Sequence, residues 1–313
     1  MLDPDGKLIN VECRIETTNY CNASCTICSH HKMTRPKGIM SSFFFKELIS
    51  QAKDMGAKLI SPFGFGEPLL DPTLEDKIQL CTNFGLETFI TTNGSLCFRG
   101  RILNLFNAGL NHLRISVHAI NKENYSKIHF YLDWNQLATN IYHLLKIRND
   151  AFPNVRVSIT TIPMHGETVD QIKDFWKDTF GIEDIEIWRA HNWGETKNYR
   201  PKTQKRLKTC GRPFRGPIQI EWDGTIIPCC FLTDNELTLG NAKGKSLKNI
   251  LLDNPYQELR KRHKSGDLEG LPCENCDQLN IEKESVLLYS KHDPDCNINR
   301  TSSLKFDLIQ NKK

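Results

Sequence analysis

The segment Cys21-Asn-Ala-Ser-Cys25-Thr-Ile-Cys28 places three cysteines within eight residues. It follows residues 11–17, whose alternation of apolar and polar side chains predicts a β-strand. Three closely spaced thiolates suit an iron–sulfur cluster. Because a 4Fe-4S cluster usually takes four cysteine ligands, three local cysteines would leave one iron for another ligand. A zinc site completed by His30 or His31 is the alternative.

The composition narrows the class of protein. The chain has 313 residues, of which 39% are hydrophobic and 25% charged, enough for one large domain and a small one. The net charge is only +4 and there is no basic stripe with interleaved aromatic residues, so we expect no nucleic-acid partner. Neither a long apolar stretch nor a signal peptide is visible, so no membrane partner is expected. Twelve cysteines then favour metal ligation in a reducing, cytoplasmic compartment over disulfides.

Strand and helix patterns alternate along the first two thirds of the chain. Six βα units favour a parallel sheet with right-handed crossovers. Six strands are too few for a closed eight-stranded barrel. The predicted strands cover residues 11–17, 58–63, 87–92, 112–117, 155–161 and 183–188.

The cysteine spacing, its place after the first strand and the segment Phe-Gly-Phe-Gly66-Glu67-Pro68 after the second resemble the radical S-adenosylmethionine (radical SAM) enzymes. The resemblance implies an open (βα)6 partial barrel of the TIM-like kind. It also implies that Cys21, Cys25 and Cys28 hold a 4Fe-4S cluster whose free iron is chelated by S-adenosylmethionine. An external one-electron reductant of the flavodoxin or ferredoxin type would then cause the cofactor to split, giving a 5′-deoxyadenosyl radical.

The same resemblance implies a contact between the cofactor's amino group and residues 65–67. Phe65 stands where the family has the first glycine of its Gly-Gly-Glu motif, and Gly66 and Glu67 match the remainder. A contact made by a backbone carbonyl does not require a particular side chain. We therefore expect Phe65, Gly66 and Glu67 to bind the cofactor.

Further cofactor contacts follow from the positions of residues after predicted strands, where parallel barrels carry their chemistry. The resemblance implies that Ile27 lies against adenine and that Asn93, Ser116 and His118 face the ribose and carboxylate. Arg189 is a candidate anchor for a substrate or for the cofactor carboxylate. From the residues alone, Asn93 also fits a common turn, His118 an ordinary packed side chain and Arg189 a surface salt bridge.

The second half of the chain carries another cysteine set. Asp223-Gly224 between two alternating apolar runs predicts a β-hairpin. The hairpin would bring Cys229, the second cysteine of the set, back towards Cys210, the first. A zinc ribbon fits the spacing. After a radical SAM core, the pattern instead resembles the twitch domain, a shortened SPASM extension with one auxiliary 4Fe-4S cluster. Its expected ligands are Cys210, Cys229, Cys273 and Cys276.

These features predict an α/β chain, with a partial barrel followed by a small α+β twitch domain that contains the hairpin. Beyond Cys276 only Cys296 follows, too few cysteines for a second auxiliary cluster. The expected divisions are a barrel over residues 1–191, a polar and basic linker over 192–207, the twitch domain over 208–290 and a tail over 291–313.

Cys230 bears on the reaction, because a thiol beside an auxiliary ligand could give a hydrogen atom to a substrate radical. That chemistry is typical of a radical epimerase. Packing, or ligation in place of Cys229, are the alternatives for Cys230. Only ten residues precede the first strand, whereas peptide-modifying members often carry an N-terminal leader-binding domain. We therefore expect a small polar substrate such as a sugar, aminoglycoside or aminocyclitol, contacted by residues among His118, Arg189, His191 and Glu195.

Three other functions stay open from the sequence. The first is dehydrogenation of an alcohol to a ketone, with the auxiliary cluster accepting an electron. The second is radical modification of a peptide. The third is a zinc-binding interaction module without enzymatic activity.

Overall fold

The computed structural model describes residues 1–193, 197–203, 205–280 and 286–289. Within them the chain forms twelve strands and nine α-helices. The strands are β1 (Glu12–Ile15), β2 (Ser24–Cys25), β3 (Leu59–Ser61), β4 (Glu87–Thr92), β5 (His112–Ser116), β6 (His129–Phe130), β7 (Arg156–Thr161), β8 (Ile185–Trp188), β9 (Ile218–Ile220), β10 (Thr225–Ile227), β11 (Gly240–Asn241) and β12 (Val286–Tyr289). The helices are α1 (Ser42–Asp54), α2 (Leu74–Asn83), α3 (Arg99–Asn107), α4 (Lys122–Ile128), α5 (Trp134–Ala151), α6 (Val169–Phe180), α7 (Arg212–Arg215), α8 (Leu247–Leu252) and α9 (Asn254–Ser265).

Ten of the described strands form one sheet in the order β11-β10-β9-β1-β3-β4-β5-β7-β8-β12. Six neighbours, β1, β3, β4, β5, β7 and β8, pair in parallel. This confirms the predicted partial barrel. The bounds of β4 agree with the prediction, and the other five strands end within two residues of it, because apolar alternation continues a little way into the loops.

Alternation along the strands separates the core from the cavity face of the sheet. In β5, Leu113 and Ile115 are fully buried in the apolar core beneath the helices. Arg114 and Ser116, one residue out of phase, line the central cavity described below. The helices begin where the sequence offers caps. Ser41, for example, accepts a hydrogen bond from the backbone N–H of Phe44 at the start of α1.

The small domain shares the sheet of the barrel. The predicted hairpin is formed by β9 and β10, with Gly224 at a φ of +90° in its turn. Strand β9 also pairs in parallel with β1, so that Cys13 lies opposite Ile218. At the other edge β12 pairs antiparallel with β8, an addition that the sequence analysis did not predict.

Residues 192–207, predicted as a linker, contact both parts of the chain where they are described. Trp193 Nε1 donates to the carbonyl of Ile27, and Lys197 Nζ donates to the carbonyl of Thr26, both at 2.7 Å. Arg200 forms a buried salt bridge of 3.2 Å with Asp277. The segment is thus more than a covalent linker, because its side chains contact both the cysteine loop and the small domain.

Some of the sequence predictions concern residues that the structure does not describe. Glu195, Cys296 and the predicted tail 291–313 lie outside the described residues. Among the helices that the structure does describe, none has the length and apolar character needed to cross a membrane.

Candidate active site

A central cavity of about 1710 Å³, measured out to its open mouth, lies at the carboxyl ends of the parallel strands. Twelve of the residues predicted for the first cluster, the cofactor, the substrate or hydrogen donation line it, although they are up to 209 residues apart in the sequence. Arg189 is the exception: its side chain is exposed and it is not among the lining residues, whereas its neighbour Trp188 is. The predicted residues that line the central cavity are Cys21, Cys25, Ile27, Cys28, Phe65, Gly66, Glu67, Asn93, Ser116, His118, His191 and Cys230.

The three cysteines of the first motif share one wall of this cavity. Burial raises the pKa of the Cys21 thiol to about 11 and raises the pKa values of Cys25 and Cys28 as well. These groups therefore stay protonated until bound metal supplies positive charge, and metal binding would release their protons. The donor set suits the expected cluster: three soft sulfur ligands on one loop, facing a cavity with room for a further ligand.

The alternative of a zinc site with histidine receives no geometric support. The Nε2 atom of His30 lies 2.8 Å from the carbonyl oxygen of Asn19, to which it donates a hydrogen bond. Among the residues that the structure describes, no group of three or more His, Cys, Asp or Glu side chains, the two cysteine sets included, is spaced to hold a metal ion. The choice between zinc and an iron–sulfur cluster therefore rests on the family comparison below.

The carboxylate of Glu67 accepts three hydrogen bonds from neighbouring residues of the chain. Its Oε1 accepts from Thr92 Oγ1 at 2.7 Å and from the Leu69 N–H at 3.1 Å, and its Oε2 accepts from the Asn93 N–H at 2.7 Å. Burial raises the pKa of this carboxyl. Because these hydrogen bonds occupy the carboxylate, we expect the backbone of residues 65–67 to make the contact with an amino group.

Gly66 is needed for the close approach of two loops. A Cβ atom at this position would lie 2.3 Å from the carbonyl oxygen of Thr18 and 2.7 Å from that of Tyr20. Both obstacles are backbone atoms, so a small side-chain movement cannot relieve them. The Gly66→Ala substitution is expected to lower the free energy of unfolding by about 1–3 kcal/mol, measured by chemical denaturation under anaerobic conditions.

The matched control is Gly100→Ala, since no heavy atom lies within 4 Å of a Cβ built at Gly100. Alanine is favoured over glycine inside a helix, so this variant is expected to be as stable as the wild type or more stable. Equal stability of Gly66→Ala and the wild type would contradict the observed loop approach.

The buried guanidinium of Arg35 lies close to the carboxyl groups of Glu16 and Glu221, on the cavity wall next to residues 64–67. Arg35 donates to both oxygens of Glu16 at 2.8 Å, and Glu16 also accepts from the Phe65 N–H at 2.9 Å. Glu221 lies farther away, 3.4 Å from Arg35 Nε. Burial raises the pKa of Glu221 to about 8, and the charge of Arg35 opposes this shift.

Aromatic side chains close another part of the cavity. The His191 ring centroid lies 4.2 Å from that of Trp193 and 4.1 Å from that of Phe231. Burial lowers the pKa of His191 to about 3, so its ring is neutral. His191, a predicted substrate contact, thus lies in the central cavity with its Nδ1 atom lacking a hydrogen-bond partner among the described residues.

A second cavity, the auxiliary pocket, lies next to the first. It is lined by all four cysteines of the second set, Cys210, Cys229, Cys273 and Cys276. Burial raises the pKa of Cys273 to about 12 and that of Cys276 further, so these thiols also need metal to become thiolates. The predicted hairpin thus brings Cys229 back to Cys210.

Cys229 and Cys230 face different cavities. Cys229 lines the auxiliary pocket and Cys230 lines the central cavity. Arg212 and Phe231 line both. Arg212 Nη1 donates to Cys230 Sγ at 3.3 Å, and its guanidinium lies 4.9 Å from the centre of the Phe231 ring. Arg212 therefore stands between the two sites and fixes the Cys230 sulfur.

Several residues of the site were missed by the sequence analysis. Arg14 and Glu16 alternate along the first strand, a signal that places both on the cavity face. The contribution of Arg212 and Glu221 depends on long-range packing and had no such signal. The residues that line the central cavity without having been singled out from the sequence include Arg14, Glu16, Arg114, His129, Arg212 and Glu221.

Comparison with protein families gives two matches. Residues 15–178 match the radical SAM superfamily, and residues 210–277 match SPASM, an iron–sulfur cluster-binding domain. The two matched regions coincide with the barrel and with the segment that carries the second cysteine set.

Curated proteins similar to this chain include cyclases. The chain is 33% identical over 113 residues to a probable GTP 3′,8-cyclase of Methanothermobacter thermautotrophicus, covering 36% of each chain. It is 28% identical over 181 residues to GTP 3′,8-cyclase of Chlorobaculum tepidum, covering 57% of this chain and 50% of the relative. It is 29% identical over 114 residues to PqqA peptide cyclase of Rhizobium meliloti, covering 36% and 30%. The aligned segments thus span half or less of these relatives.

Solved structures share the fold across nearly the whole chain. BtrN in complex with AdoMet and 2-DOIA has a TM-score of 0.63 at 19% identity, covering 90% of this chain and 100% of BtrN. Streptococcus suis SuiB bound to precursor peptide SuiA has a TM-score of 0.66 at 15% identity, covering 88% and 70%. At these identities the likeness establishes the fold.

Proposed function

Because the chain belongs to the radical SAM superfamily, we propose that it removes a hydrogen atom from a carbon of a small polar substrate and returns one from Cys230, which epimerises that carbon. Its cofactors are S-adenosylmethionine and 4Fe-4S clusters. The sugar, aminoglycoside and aminocyclitol classes are the substrates that we expect.

The seven cysteines divide between two clusters in this proposal. Cys21, Cys25 and Cys28 hold the cluster that binds S-adenosylmethionine, since they line the central cavity together. The second set, Cys210, Cys229, Cys273 and Cys276, holds the auxiliary cluster, since all four line the auxiliary pocket. The zinc ribbon and the zinc-binding interaction module are set aside, because the family is an iron–sulfur enzyme family.

The observation that carries the proposed reaction is the position of Cys230. Cys230 lines the central cavity together with the cysteine motif, while its neighbour Cys229 lines the auxiliary pocket. A cysteine side chain that this proposal does not use for metal ligation thus lies on the wall of the cavity in which a substrate would bind. The hydrogen bond with Cys229 and the charges of Arg212 and Arg14 lower the pKa of Cys230, and donation of a hydrogen atom requires its protonated form. The hydrogen bond from Arg212 holds the sulfur in place.

The walls of the central cavity support a small polar substrate. Arg14, which pairs with Glu12 at 2.8 Å, and Arg212 supply positive charge. Glu16 and Glu221 supply carboxyl groups, and burial raises the pKa of Glu221. Hydroxyl and amino groups of a sugar or aminocyclitol can pair with both kinds of side chain.

When bound, S-adenosylmethionine at the cluster supplies the 5′-deoxyadenosyl radical that removes the substrate hydrogen atom. The Cys230 S–H bond then breaks homolytically, and its hydrogen atom forms a new C–H bond on the other face of the substrate carbon. The resulting thiyl radical takes up one electron from the external reductant, of the flavodoxin or ferredoxin type, and one proton from solvent. This restores the thiol and leaves the substrate isomerised without net oxidation.

Dehydrogenation is the second candidate, because Arg212 and Phe231 line both cavities. The auxiliary cluster would then adjoin the substrate. The substrate radical would lose an electron to that cluster and a proton from its hydroxyl group to a base in the cavity, which gives a ketone. The similarity to PqqA peptide cyclase keeps peptide modification as a third candidate.

Turnover in heavy water separates these candidates. The reduced enzyme is supplied with S-adenosylmethionine and a panel of aminocyclitols, aminoglycosides and short peptides, and the products are analysed by mass spectrometry. Epimerisation places one solvent deuterium at the inverted carbon, because the thiol proton exchanges with solvent. A ketone without deuterium would establish dehydrogenation in its place, and a change of mass only in a peptide would establish peptide modification.

A further inference from the structure

A short segment between β5 and α5 pairs with the cysteine loop and holds it in place. Helix α4 and strand β6 follow β5, and β6 pairs antiparallel with β2, so that Cys25 lies opposite His129 and Ser24 opposite Phe130. The backbone N–H of Thr26 also donates to the carbonyl of Ile128 at 2.9 Å. The backbone pairing therefore holds the residues around Cys25 and His129 in fixed register, although they are 104 positions apart.

The hydrogen bonds of the His129 ring determine where its proton is. The backbone N–H of His118 donates to His129 Nε2 at 3.2 Å. A nitrogen that accepts a hydrogen bond carries no proton, so the neutral ring is protonated at Nδ1. Nδ1 lies 3.3 Å from Cys25 Sγ. His129 is therefore the donor of an N–H···S hydrogen bond to this sulfur.

Two other rings hold His129 in this orientation. The Tyr125 ring stacks on it at 4.5 Å between centroids and the His118 ring at 5.2 Å, the latter with only 8° between the planes. The His129 side chain is 2% exposed. The ring has little freedom to rotate, and water has little access to compete for the sulfur.

We propose that His129 is a positioning residue that raises the reduction potential of the cluster held by Cys21, Cys25 and Cys28, an inference that rests on the proposed ligand role of Cys25. Reduction adds negative charge to the cluster and its cysteine sulfurs. An N–H donor aimed at one sulfur stabilises the reduced state more than the oxidised state. His129 thereby makes the uptake of an electron from the external reductant more favourable.

The test compares midpoint potentials in redox titrations of the anaerobic holoenzyme, followed by the EPR signal that changes when S-adenosylmethionine is added. His129→Phe keeps the stacked aromatic ring and removes the donor. It is expected to lower the reduced-to-oxidised ratio at a fixed potential by about tenfold, or about 59 mV for a one-electron couple. His129→Asn places a side-chain N–H near the position of Nδ1 and is expected to recover most of the shift.

Tyr125→Phe is the matched control, since it keeps the stacked ring and removes only a hydroxyl that has no hydrogen-bond partner among the described residues. It is expected to leave the potential unchanged. An unshifted potential in His129→Phe would overturn the inference, and so would an equal shift in the Phe and Asn variants, which would indicate altered packing alone.

Should His129→Phe fail to retain its iron, the wild type supplies the test. Because the backbone N–H of His30 also donates to Cys28 Sγ at 3.4 Å, the label is histidine that carries ¹⁵N only in its imidazole ring. This label is expected to change the nitrogen coupling seen by pulsed EPR of the reduced cluster before the cofactor is added. Absence of a histidine coupling, with the cofactor-responsive signal present, would overturn the role of His129 alone. Absence of the cofactor-responsive signal would overturn the ligand role of Cys25 and with it this inference.

Discussion

Replacing Cys21, Cys25 and Cys28 together with alanine is expected to lower the iron content of the anaerobically reconstituted protein from about eight to about four atoms per chain. Cleavage of S-adenosylmethionine should be lost completely. The three thiols line the central cavity as a group, and the second cysteine set lines a separate pocket. Loss of one site therefore leaves the ligands of the other intact. Iron and sulfide assays together with chromatography of 5′-deoxyadenosine measure both effects.

The control for this variant is Cys81→Ala, which removes a fully buried thiol of the core that is not in either cavity. It is expected to keep about eight irons and the cleavage activity, with some loss of stability from the small cavity that it leaves. A triple variant that retains all its iron would refute the assignment of the first motif as a cluster site. Stoichiometric zinc in the wild type would refute both cluster assignments.

The second large effect is expected for Cys230→Ala. Product formation should be lost, because the substrate radical then has no thiol hydrogen atom to take up. Iron content and the cleavage of S-adenosylmethionine should stay at wild-type values, because Cys230 faces the central cavity while Cys229 faces the auxiliary pocket. The measurement is the product yield for each cofactor cleaved.

Cys229→Ala is the comparison that separates the two neighbouring thiols. It is expected to lose the auxiliary irons, whereas Cys230→Ala keeps them. A Cys230→Ala variant that still forms product containing deuterium would exclude Cys230 as the hydrogen donor. Loss of about four irons in Cys230→Ala, with no loss in Cys229→Ala, would show that the ligand roles of the two cysteines are reversed.

Much of the barrel was predictable because local and tertiary preferences agree there. Strand β4 and helix α1 carry clear periodicity, and Ser41 marks the start of the helix with a cap. The Asp223-Gly224 turn likewise identifies the hairpin. Which sheet edges meet is not encoded in such local patterns, so the pairing of β9 with β1 and the addition of β12 next to β8 were not predicted.

The chemistry of the site was predicted less evenly. Cysteine spacing predicted Cys21, Cys25 and Cys28, which are close in sequence, as one set of sulfur donors. It also predicted a second set spread over residues 210–276, whose four members line one pocket. His129 could not be found in this way, since β2 and β6 have two residues each and show no periodicity. Arg189 was predicted to contact a substrate or the cofactor because it follows a strand, but it is exposed and does not line the central cavity. A sequence position after a strand does not determine the direction of a side chain.

The parallel pairing of β9 with β1 has a consequence for how the chain folds. Ile218 and Ile220 share one apolar core with Phe45 and Leu48 of the barrel. A barrel expressed without the residues beyond 207 would expose the open edge of β1, together with the core surface that the hairpin covers. We therefore expect the barrel and the auxiliary part to depend on each other for stability, so that the barrel expressed alone is less stable than the full chain.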